Sequence, residues 1–102
     1  MISLSDIQQA RKRIAEHLRP TLLEPAPGLG ENVWLKLENT NRTHSFKIRG
    51  ALNAILSLDE QARSRGIVAA SSGNHAQGVA YAAQVTGVPA KIIMPAHTPK
   101  RK

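Results

Sequence analysis

One lysine stands inside an apolar run, at the point where a polar loop gives way to a helical pattern. Residues 45–51 read SFKIRGA, so Lys47 follows Phe46 and precedes Ile48. Lysines at such positions usually extend their aliphatic stems toward solvent. A partly desolvated amine, in contrast, spends more time neutral and can act as a nucleophile or a base. This segment alone leaves both interpretations open.

A second segment has residue types that could bind a ligand. It reads SSGNHAQG and covers residues 71–78. It joins a short apolar run to an alanine-rich helical pattern, so we expect it at the carboxyl end of a strand and the start of a helix. Ligands of open α/β sheets bind at that edge, and the free N–H groups of a helix start favour a carboxylate or phosphate. Gly73 permits close approach to the backbone. Four side chains add donors: Ser71, Ser72, Asn74 and His75.

The two segments are more informative together than separately. Serine and asparagine cap many helices without binding a ligand, so the turn by itself leaves an anion site and a plain cap open. A lysine amine paired with a donor-rich turn suits a site for a carbonyl cofactor and an amino acid. The amine would bond to the carbonyl carbon of the cofactor. The turn would hold the carboxylate of the substrate.

The elements that must position these residues are readable from the apolar spacing. A first helix is predicted up to Pro20, with a capping box at Ser5–Gln8 and inward positions at helical intervals. Residues 24–32 hold prolines and glycines and predict a loop, and VWLKL at 33–37 predicts a strand. A second helix is expected from Ser45. The inward positions of the first helix are Ile7, Ala10, Ile14 and Leu18.

The second half of the chain has the pattern of a strand, a helix and a strand. IVAA at 67–70 and AKIIMP at 90–95 are the predicted strands, and Gly87 is expected to end the helix between them. A connection of this length makes the strands parallel and the crossover right-handed. The fold class is therefore α/β, a partial open parallel sheet with flanking helices. The residues expected to face inward from the helix are Ala76, Val79, Ala80 and Ala83.

Composition excludes several classes of protein. The chain of 102 residues contains no cysteine, which excludes disulfides and thiolate metal sites, and we expect no metal. No apolar run is long enough for a membrane helix, and the start is too polar for a signal peptide, so we expect a cytoplasmic protein without a membrane partner. The net charge of +7 is scattered, apart from a basic helix and residues 100–102, and is not interleaved with aromatic residues. We therefore expect no nucleic-acid partner, although a basic nucleic-acid-binding protein remains the alternative that charge suggests.

The quoted segments resemble a known family. KLENTNRTHSFKIRGA, followed by ASSGNHAQGVA and KIIMP, is similar to the fold-type II pyridoxal-phosphate enzymes, and closest to threonine/serine dehydratases and serine racemase. The resemblance covers essentially the whole chain. It implies pyridoxal 5'-phosphate as cofactor and a small amino acid as substrate. It also implies a lyase that converts a hydroxy amino acid to a 2-oxo acid and ammonia, and a homo-oligomer for the full-length relative.

The resemblance assigns roles to individual residues. Lys47 corresponds to the lysine that binds the cofactor covalently and moves the α-proton, and Phe46 to the residue beside the cofactor ring. Asn74 corresponds to the residue that binds the 3-hydroxyl oxygen of the ring. Ser72 corresponds to the serine that exchanges a proton on the opposite side of the substrate in racemising relatives. The substrate carboxylate would be held by Ser71, Ser72, Gly73, Asn74 and His75.

Two departures from the family pattern stand near the lysine. The family motif reads Gln-Pro-Thr-Gly-Ser-Phe-Lys where this chain has Asn41-Arg-Thr-His-Ser-Phe-Lys47, so His44 replaces a glycine. The usual Thr-Pro-Leu is here Thr21-Leu22-Leu23. These changes leave the identity of the substrate open. Arg49 either adds positive charge beside the lysine or is an ordinary surface arginine.

The resemblance also indicates an incomplete enzyme. Residues 1–48 would be the N-terminal part of the large cofactor-binding domain, and residues 49–102 an incomplete small domain. The family's later glycine-rich phosphate loop, and the residue that meets the pyridine nitrogen, have no counterpart in this sequence. We therefore expect an N-terminal fragment that is inactive by itself. The alternatives are a serine racemase-like or other fold-type II enzyme, and a non-catalytic remnant or partner-binding fragment.

Overall fold

The computed structural model describes residues 1–100. Arg101 and Lys102, part of the basic cluster noted in the sequence, lie outside the described residues. No helix within residues 1–100 combines the length and the apolar character that crossing a membrane requires. The helices and strands, in chain order, are α1 (Leu4–Ile14), β1 (Leu23–Pro25), β2 (Trp34–Lys36), α2 (Lys47–Leu56), α3 (Glu60–Arg65), β3 (Ile67–Ala70), α4 (Asn74–Thr86) and β4 (Ala90–Ile93).

The predicted strand–helix–strand unit is present. Strands β3 and β4 pair in parallel, from Ile67 opposite Ala90 to Ala70 opposite Ile93, and α4 makes the crossover between them. Gly87 ends α4 in the left-handed conformation, with φ of 70°, which a residue without a β-carbon adopts at little cost. The α/β class and the parallel pair with flanking helices are therefore confirmed.

The first half of the chain contains an antiparallel hairpin that the sequence pattern predicted only in part. Residues Leu23–Pro25 form β1 and pair with Trp34–Lys36, so the prediction of a loop from residue 24 was wrong at its start. Pro25 is compatible with such a strand because a residue at a strand end or sheet edge can lack a ladder donor. The glycines and prolines between the strands shape the connection, which includes a short 3-10 helix at Pro27–Leu29.

The ends of the helices differ from the predicted ones. Ser3 caps α1, since its hydroxyl accepts from the Asp6 N–H while the Asp6 carboxylate accepts from the Ser3 N–H, so the capping box predicted at Ser5 was misplaced. Helix α1 ends at Ile14 rather than near Pro20. Helix α3 was not predicted, and Asp59 caps it by accepting from the Ala62 N–H at 2.7 Å.

The hydrophobic core lies between α1, α2 and α4. The side chains of Ile48 and Leu52 on α2 are completely buried, and Val79 and Ala82 on α4 belong to the same cluster. Leu18 also joins the core, because the chain continues to turn after α1 and the Leu18 N–H donates to the Ile14 carbonyl. On α4 the predicted inward position at residue 80 was wrong, since Ala80 is exposed.

Helices α4 and α2 approach each other closely at Gly78. A β-carbon at this position of α4 would lie 3.1 Å from the Ile48 amide nitrogen, 3.1 Å from the Lys47 carbonyl carbon and 3.2 Å from the Lys47 oxygen. All three are backbone atoms, which cannot move aside as the end of a flexible side chain can. Gly78 therefore lets the backbone of α4 pack directly against the first turn of α2.

We expect Gly78→Ala to lower the free energy of unfolding by about 1–3 kcal/mol, because the added methyl group overpacks a backbone contact. Gly50→Ala is the matched control, since a β-carbon at Gly50 in α2 would meet nothing within 4 Å. That substitution should raise stability by about 0.5–1 kcal/mol through helix propensity and chain entropy. Urea unfolding followed by circular dichroism measures both. Stabilisation by Gly78→Ala, equal to that by Gly50→Ala, would contradict the close packing.

Candidate functional site

Lys47 is the first residue of α2, and its side chain is exposed. Its backbone N–H donates to Ser45 Oγ at 3.2 Å. The Lys47 Nζ lies 5.2 Å from the centre of the Phe46 ring, a distance at which an ammonium group is attracted to the ring face. Phe46 itself is 60% exposed. The amine and the aromatic ring are thus adjacent and open to a ligand.

The Ser71–Asn74 turn combines a cap with free donors. Ser71 Oγ accepts from the N–H of Gly73 at 3.3 Å and of Ala76 at 3.2 Å, so this hydroxyl caps the start of α4. The N–H groups of Asn74 and His75, the first two residues of α4, have no acceptor within the helix. The side chains of both residues are exposed. The cap interpretation therefore holds for Ser71, while donors for an anion remain at the start of the helix.

Space for a ligand exists beside this turn. A β-carbon at Gly73 would meet no atom of the described residues within 4 Å. The φ of Gly73 is −120°, which other residues also adopt, so the backbone conformation does not require glycine. The absence of a side chain instead keeps the approach to the backbone open.

The contact at Gly78 brings the lysine segment and the turn together. Asn74 precedes Gly78 by one helical turn, about 6 Å along the helix axis. The space where Gly78 lacks a side chain is in turn bordered by the backbone of Lys47 and Ile48. The start of α4, with its free N–H groups, and the start of α2, with Lys47, are therefore neighbours in space. The two segments therefore do not lie on opposite sides of the molecule.

The polar stretch before α2 is held by Glu38, a residue that no local sequence pattern singled out. The carboxylate of Glu38 accepts hydrogen bonds from Arg49 Nε at 2.8 Å and Nη2 at 3.0 Å. It also accepts from Thr21 Oγ1 at 2.6 Å and Asn41 Nδ2 at 2.7 Å. The hydrogen bonds from Arg49 are the main cause that lowers the pKa of Glu38 below its usual value of 4.5. Arg49 is thus a half-buried ion-pair partner, neither a free charge beside Lys47 nor an ordinary surface arginine.

Burial alternates along the segment that leads to Lys47. Asn41, Thr43 and Ser45 are buried, and the residues between them are exposed. Asn41 bonds to Glu38, and Ser45 accepts from the Lys47 N–H, whereas Thr43 Oγ1 has no hydrogen-bond partner among residues 1–100. The segment is therefore anchored by side chains that point inward on both sides of Thr43.

His44 adopts a backbone conformation that usually requires glycine. Its φ of 55° is the one positive value at a non-glycine position in the described part of the chain. Nδ1 of its ring lies 3.0 Å from the Asn39 carbonyl oxygen, which can only accept, so Nδ1 carries the proton in this contact. This hydrogen bond partly compensates for a conformation that costs about 1–2 kcal/mol in a residue with a β-carbon. His44 thus stands where the family motif has glycine and adopts a conformation that glycine reaches at little cost.

The side chains gathered here suit the aldehyde, the ring and the ring hydroxyl of pyridoxal phosphate. An exposed primary amine at Lys47 can bond to an aldehyde, and the ring of Phe46 lies beside it. The exposed amide of Asn74 can bond to a ring hydroxyl, and the free N–H groups of α4 suit a carboxylate. Within residues 1–100 no three histidine or carboxylate side chains come close enough to bind a metal ion. The donor set therefore fits an organic carbonyl cofactor together with an amino acid.

Two residues that organise this site lacked a clear local pattern. Glu38 bonds to Thr21 and Arg49, which lie far from it in sequence, so no periodicity connects them. Gly78 did offer a clue, because a glycine inside an alanine-rich helix costs stability and usually has a packing reason. Within the segment 71–78, Gly78 was assigned no role from the sequence.

A lysine at a helix start, near the donor-rich turn of a parallel βαβ unit, has the chemistry that an amine-reactive cofactor and a small anion would need. The sequence comparison agrees, since residues 14–102 match the family described as pyridoxal-phosphate dependent enzyme. The chain belongs to this family of pyridoxal-phosphate dependent enzymes. The resemblance to fold-type II enzymes and the cofactor inferred from it are thereby confirmed.

The chain is similar to proteins that are named for two different activities. It is 49% identical to L-threonine ammonia-lyase of Thermotoga maritima over 106 residues, which cover 100% of this chain and 26% of that protein. The structure of serine racemase from Dictyostelium discoideum matches with a TM-score of 0.92 and 39% identity, over 98% of this chain and 34% of the other. The structure of T.th. threonine deaminase matches with a TM-score of 0.83 and 46% identity, over 98% and 33%. The chain thus spans between a quarter and a third of the length of these relatives.

The conformation of His44 gives a test of the local backbone. His44→Ala should lower the free energy of unfolding more than His44→Gly by about 1 kcal/mol, because alanine keeps the β-carbon that disfavours a positive φ. Arg42 is the matched control, since it is exposed and its φ is not positive. There alanine should be the more stable of the two replacements. Urea unfolding measures all four variants, and the same order at both positions would contradict the left-handed conformation of His44.

The depressed pKa of Glu38 predicts a dependence of stability on pH. A carboxyl group with a lower pKa in the folded state contributes stability that is present above the unfolded value and lost as the pH falls through the folded value. The difference in free energy of unfolding between the unmodified chain and Glu38→Gln should therefore be largest near neutral pH and shrink as the pH falls below 4.5. Urea unfolding from pH 7 to pH 3 measures it. A difference that stays constant over this range would show that the charge of Glu38 does not stabilise the fold.

Proposed function

We propose that this chain supplies the cofactor-binding lysine and the substrate-binding turn of a pyridoxal-phosphate dependent ammonia-lyase. Its substrate would be a hydroxy amino acid such as threonine or serine, and its products a 2-oxo acid and ammonia. The observation that carries the proposal is the contact of Gly78 with the backbone of Lys47 and Ile48. This close approach makes neighbours of the backbone that carries Lys47 and the helix that follows the turn. The 49% identity to a protein named L-threonine ammonia-lyase supports the choice of reaction.

Each site residue has a role in this proposal. Pyridoxal phosphate, when bound, supplies an aldehyde and an electron-accepting ring that stabilise charge developing at the α-carbon. Lys47 Nζ holds the cofactor, and as a free amine takes the proton from the α-carbon of the substrate. Phe46 packs beside the cofactor ring. The role of Asn74 is to orient that ring by a hydrogen bond to its hydroxyl group.

The turn would bind the carboxylate of the substrate. The N–H groups of Asn74 and His75 point out of the start of α4, where the helix dipole favours negative charge. Ser72 and the open backbone at Gly73 add a hydroxyl donor and room for the ligand. Ser71 orders the turn through its two backbone hydrogen bonds and would lie next to the same carboxylate.

The domain organisation is part of the proposal. Residues 1–48 would belong to the large domain of the enzyme and residues 49–102 to the small domain, with Lys47 at the boundary. Within the described residues a single core crosses this boundary, since Ile14 and Leu18 pack with the buried residues of α2 and α4. The cytoplasmic location and the homo-oligomeric state of a full-length relative stay predictions, as does the absence of a nucleic-acid partner.

The racemase alternative depends on one residue. Ser72 has the hydroxyl group that could exchange a proton on the side of the substrate opposite Lys47, and a serine racemase structure matches with a TM-score of 0.92. In an active assembly that contains this chain, a racemase would form D-serine from L-serine, and Ser72→Ala would lower D-serine formation far more than ammonia release. A lyase without racemase activity would form only the 2-oxo acid and ammonia.

The central test is chemical labelling of the lysine. The chain is mixed with pyridoxal phosphate, the carbon–nitrogen double bond is reduced with borohydride, and the modified residue is located by mass spectrometry. We expect the label at Lys47 in preference to the exposed Lys12 and Lys91. Lys47→Arg is the matched control, which keeps the charge and removes the reactive primary amine.

Two results of this experiment would argue against the proposal. Labelling spread evenly over the surface lysines, or no labelling at all, would favour a non-catalytic remnant or a partner-binding fragment. We also expect the purified 102-residue chain to release no ammonia steadily from serine or threonine. Sustained release would contradict the expectation that the chain is inactive by itself.

A further inference from the structure

Each oxygen of the Glu38 carboxylate accepts two hydrogen bonds, and the donors come from different parts of the chain. Oε1 accepts from Thr21 and from Arg49 Nη2, and Oε2 accepts from Asn41 and from Arg49 Nε. The side chain of Glu38 is 19% exposed and that of Arg49 is 30% exposed. A two-point arginine–carboxylate pair fixes orientation as well as distance. An exposed single-contact pair would fix neither.

These contacts enclose the segment that carries Lys47. Glu38 precedes the lysine and Arg49 follows it, so the ion pair closes the chain between them into a loop. Asn41 attaches the middle of the loop to the same carboxylate. Thr21 attaches the loop to the segment after α1. The ends of the loop are therefore fixed relative to each other and to the rest of the fold.

Lys47 itself has few contacts that would fix its position. Its side chain is exposed, and the Phe46 ring beside it is largely exposed too. The direction in which the Lys47 side chain leaves the backbone therefore depends on the conformation of the first turn of α2. That turn is held on one side by Gly78 of α4 and on the other by the pair of Arg49 with Glu38.

We propose that Glu38 is a positioning residue for Lys47, because its carboxylate fastens both ends of the 38–49 segment and so sets the direction of the lysine at the start of α2. The inference rests on the function proposed above, in which Lys47 binds the cofactor. Glu38 itself touches neither cofactor nor substrate in this scheme. It acts through Arg49 and Asn41.

The test compares Glu38→Gln with Glu60→Gln. Glutamine preserves the size of the side chain but offers one acceptor oxygen, and its NH₂ group would face the donors of Arg49. Glu60 is an exposed acidic residue in the first turn of α3, and serves as the matched control. The first measurement is amide hydrogen exchange in residues 41–49 compared with residues 78–83.

We expect Glu38→Gln to accelerate exchange in residues 41–49 by roughly tenfold, the effect of losing a charged hydrogen-bond network, while exchange in α4 stays the same. Glu60→Gln should change neither region. Equal acceleration in both regions would show a general loss of stability and overturn the proposal. Unchanged exchange in residues 41–49 would overturn it too.

The second measurement is the borohydride labelling with pyridoxal phosphate. Glu38→Gln should reduce the preference for Lys47 over Lys12 and Lys91 by at least about threefold, because the backbone from which the Lys47 side chain projects is no longer held in one orientation. An unchanged preference would overturn the positioning role. A lack of preference in the unmodified chain would instead refute the proposed function, and the exchange measurement would still decide whether Glu38 orders the lysine segment.

A milder variant covers the case in which Glu38→Gln does not fold. Thr21→Val removes one donor to the carboxylate and keeps the shape of the side chain. It should accelerate exchange in residues 41–49 by a smaller factor of about threefold, again without a change in α4. No acceleration in this folded variant would overturn the proposal.

Discussion

The packing of α4 against the first turn of α2 is the contact on which the site depends. Gly78 has no side chain, so the helix backbone can come within van der Waals distance of the Lys47 carbonyl and the Ile48 N–H. The same contact extends into the core, where Ile48 and Leu52 pack against Val79 and Ala82. Burial of these apolar side chains holds α2 and α4 together. Because Gly78 has no side chain, the backbones of the two helices can lie closer than a larger residue would allow. The first turn of α2, which carries Lys47, and α4 become neighbours as a consequence.

A second constraint acts on the polar segment before Lys47. This segment has little apolar surface to bury, and hydrogen bonds and an ion pair determine its path. Glu38 gathers the donors of Arg49, Asn41 and Thr21, while His44 takes a left-handed conformation that its hydrogen bond to Asn39 supports. The two constraints meet at the start of α2. The apolar core places the helix, and the polar network directs the chain that enters it.

The division of roles among the site residues follows from these constraints. Ser71 is committed to ordering its own turn, so the hydroxyl of Ser72 and the amide of Asn74 are better suited to contact a ligand. Arg49 forms an ion pair with Glu38 and so helps to hold the chain between them in place. The chain covers between a quarter and a third of the length of the relatives it matches, and the proposed chemistry is accordingly that of a longer enzyme.

The sequence by itself determined the family, the parallel βαβ unit and the lysine and serine–asparagine segments, because each of these depends on residues close together in the chain. Apolar periodicity located α2, α4 and the strands β3 and β4. It failed where a structure depends on distant partners: the strand at Leu23–Pro25 exists only through its pairing with Trp34–Lys36. The same reason explains why Glu38 was missed, since its donors come from residues far apart in sequence. Only the tertiary structure decided that Gly78 touches Lys47, because sequence spacing carries no information about which helices pack together or how closely their backbones approach.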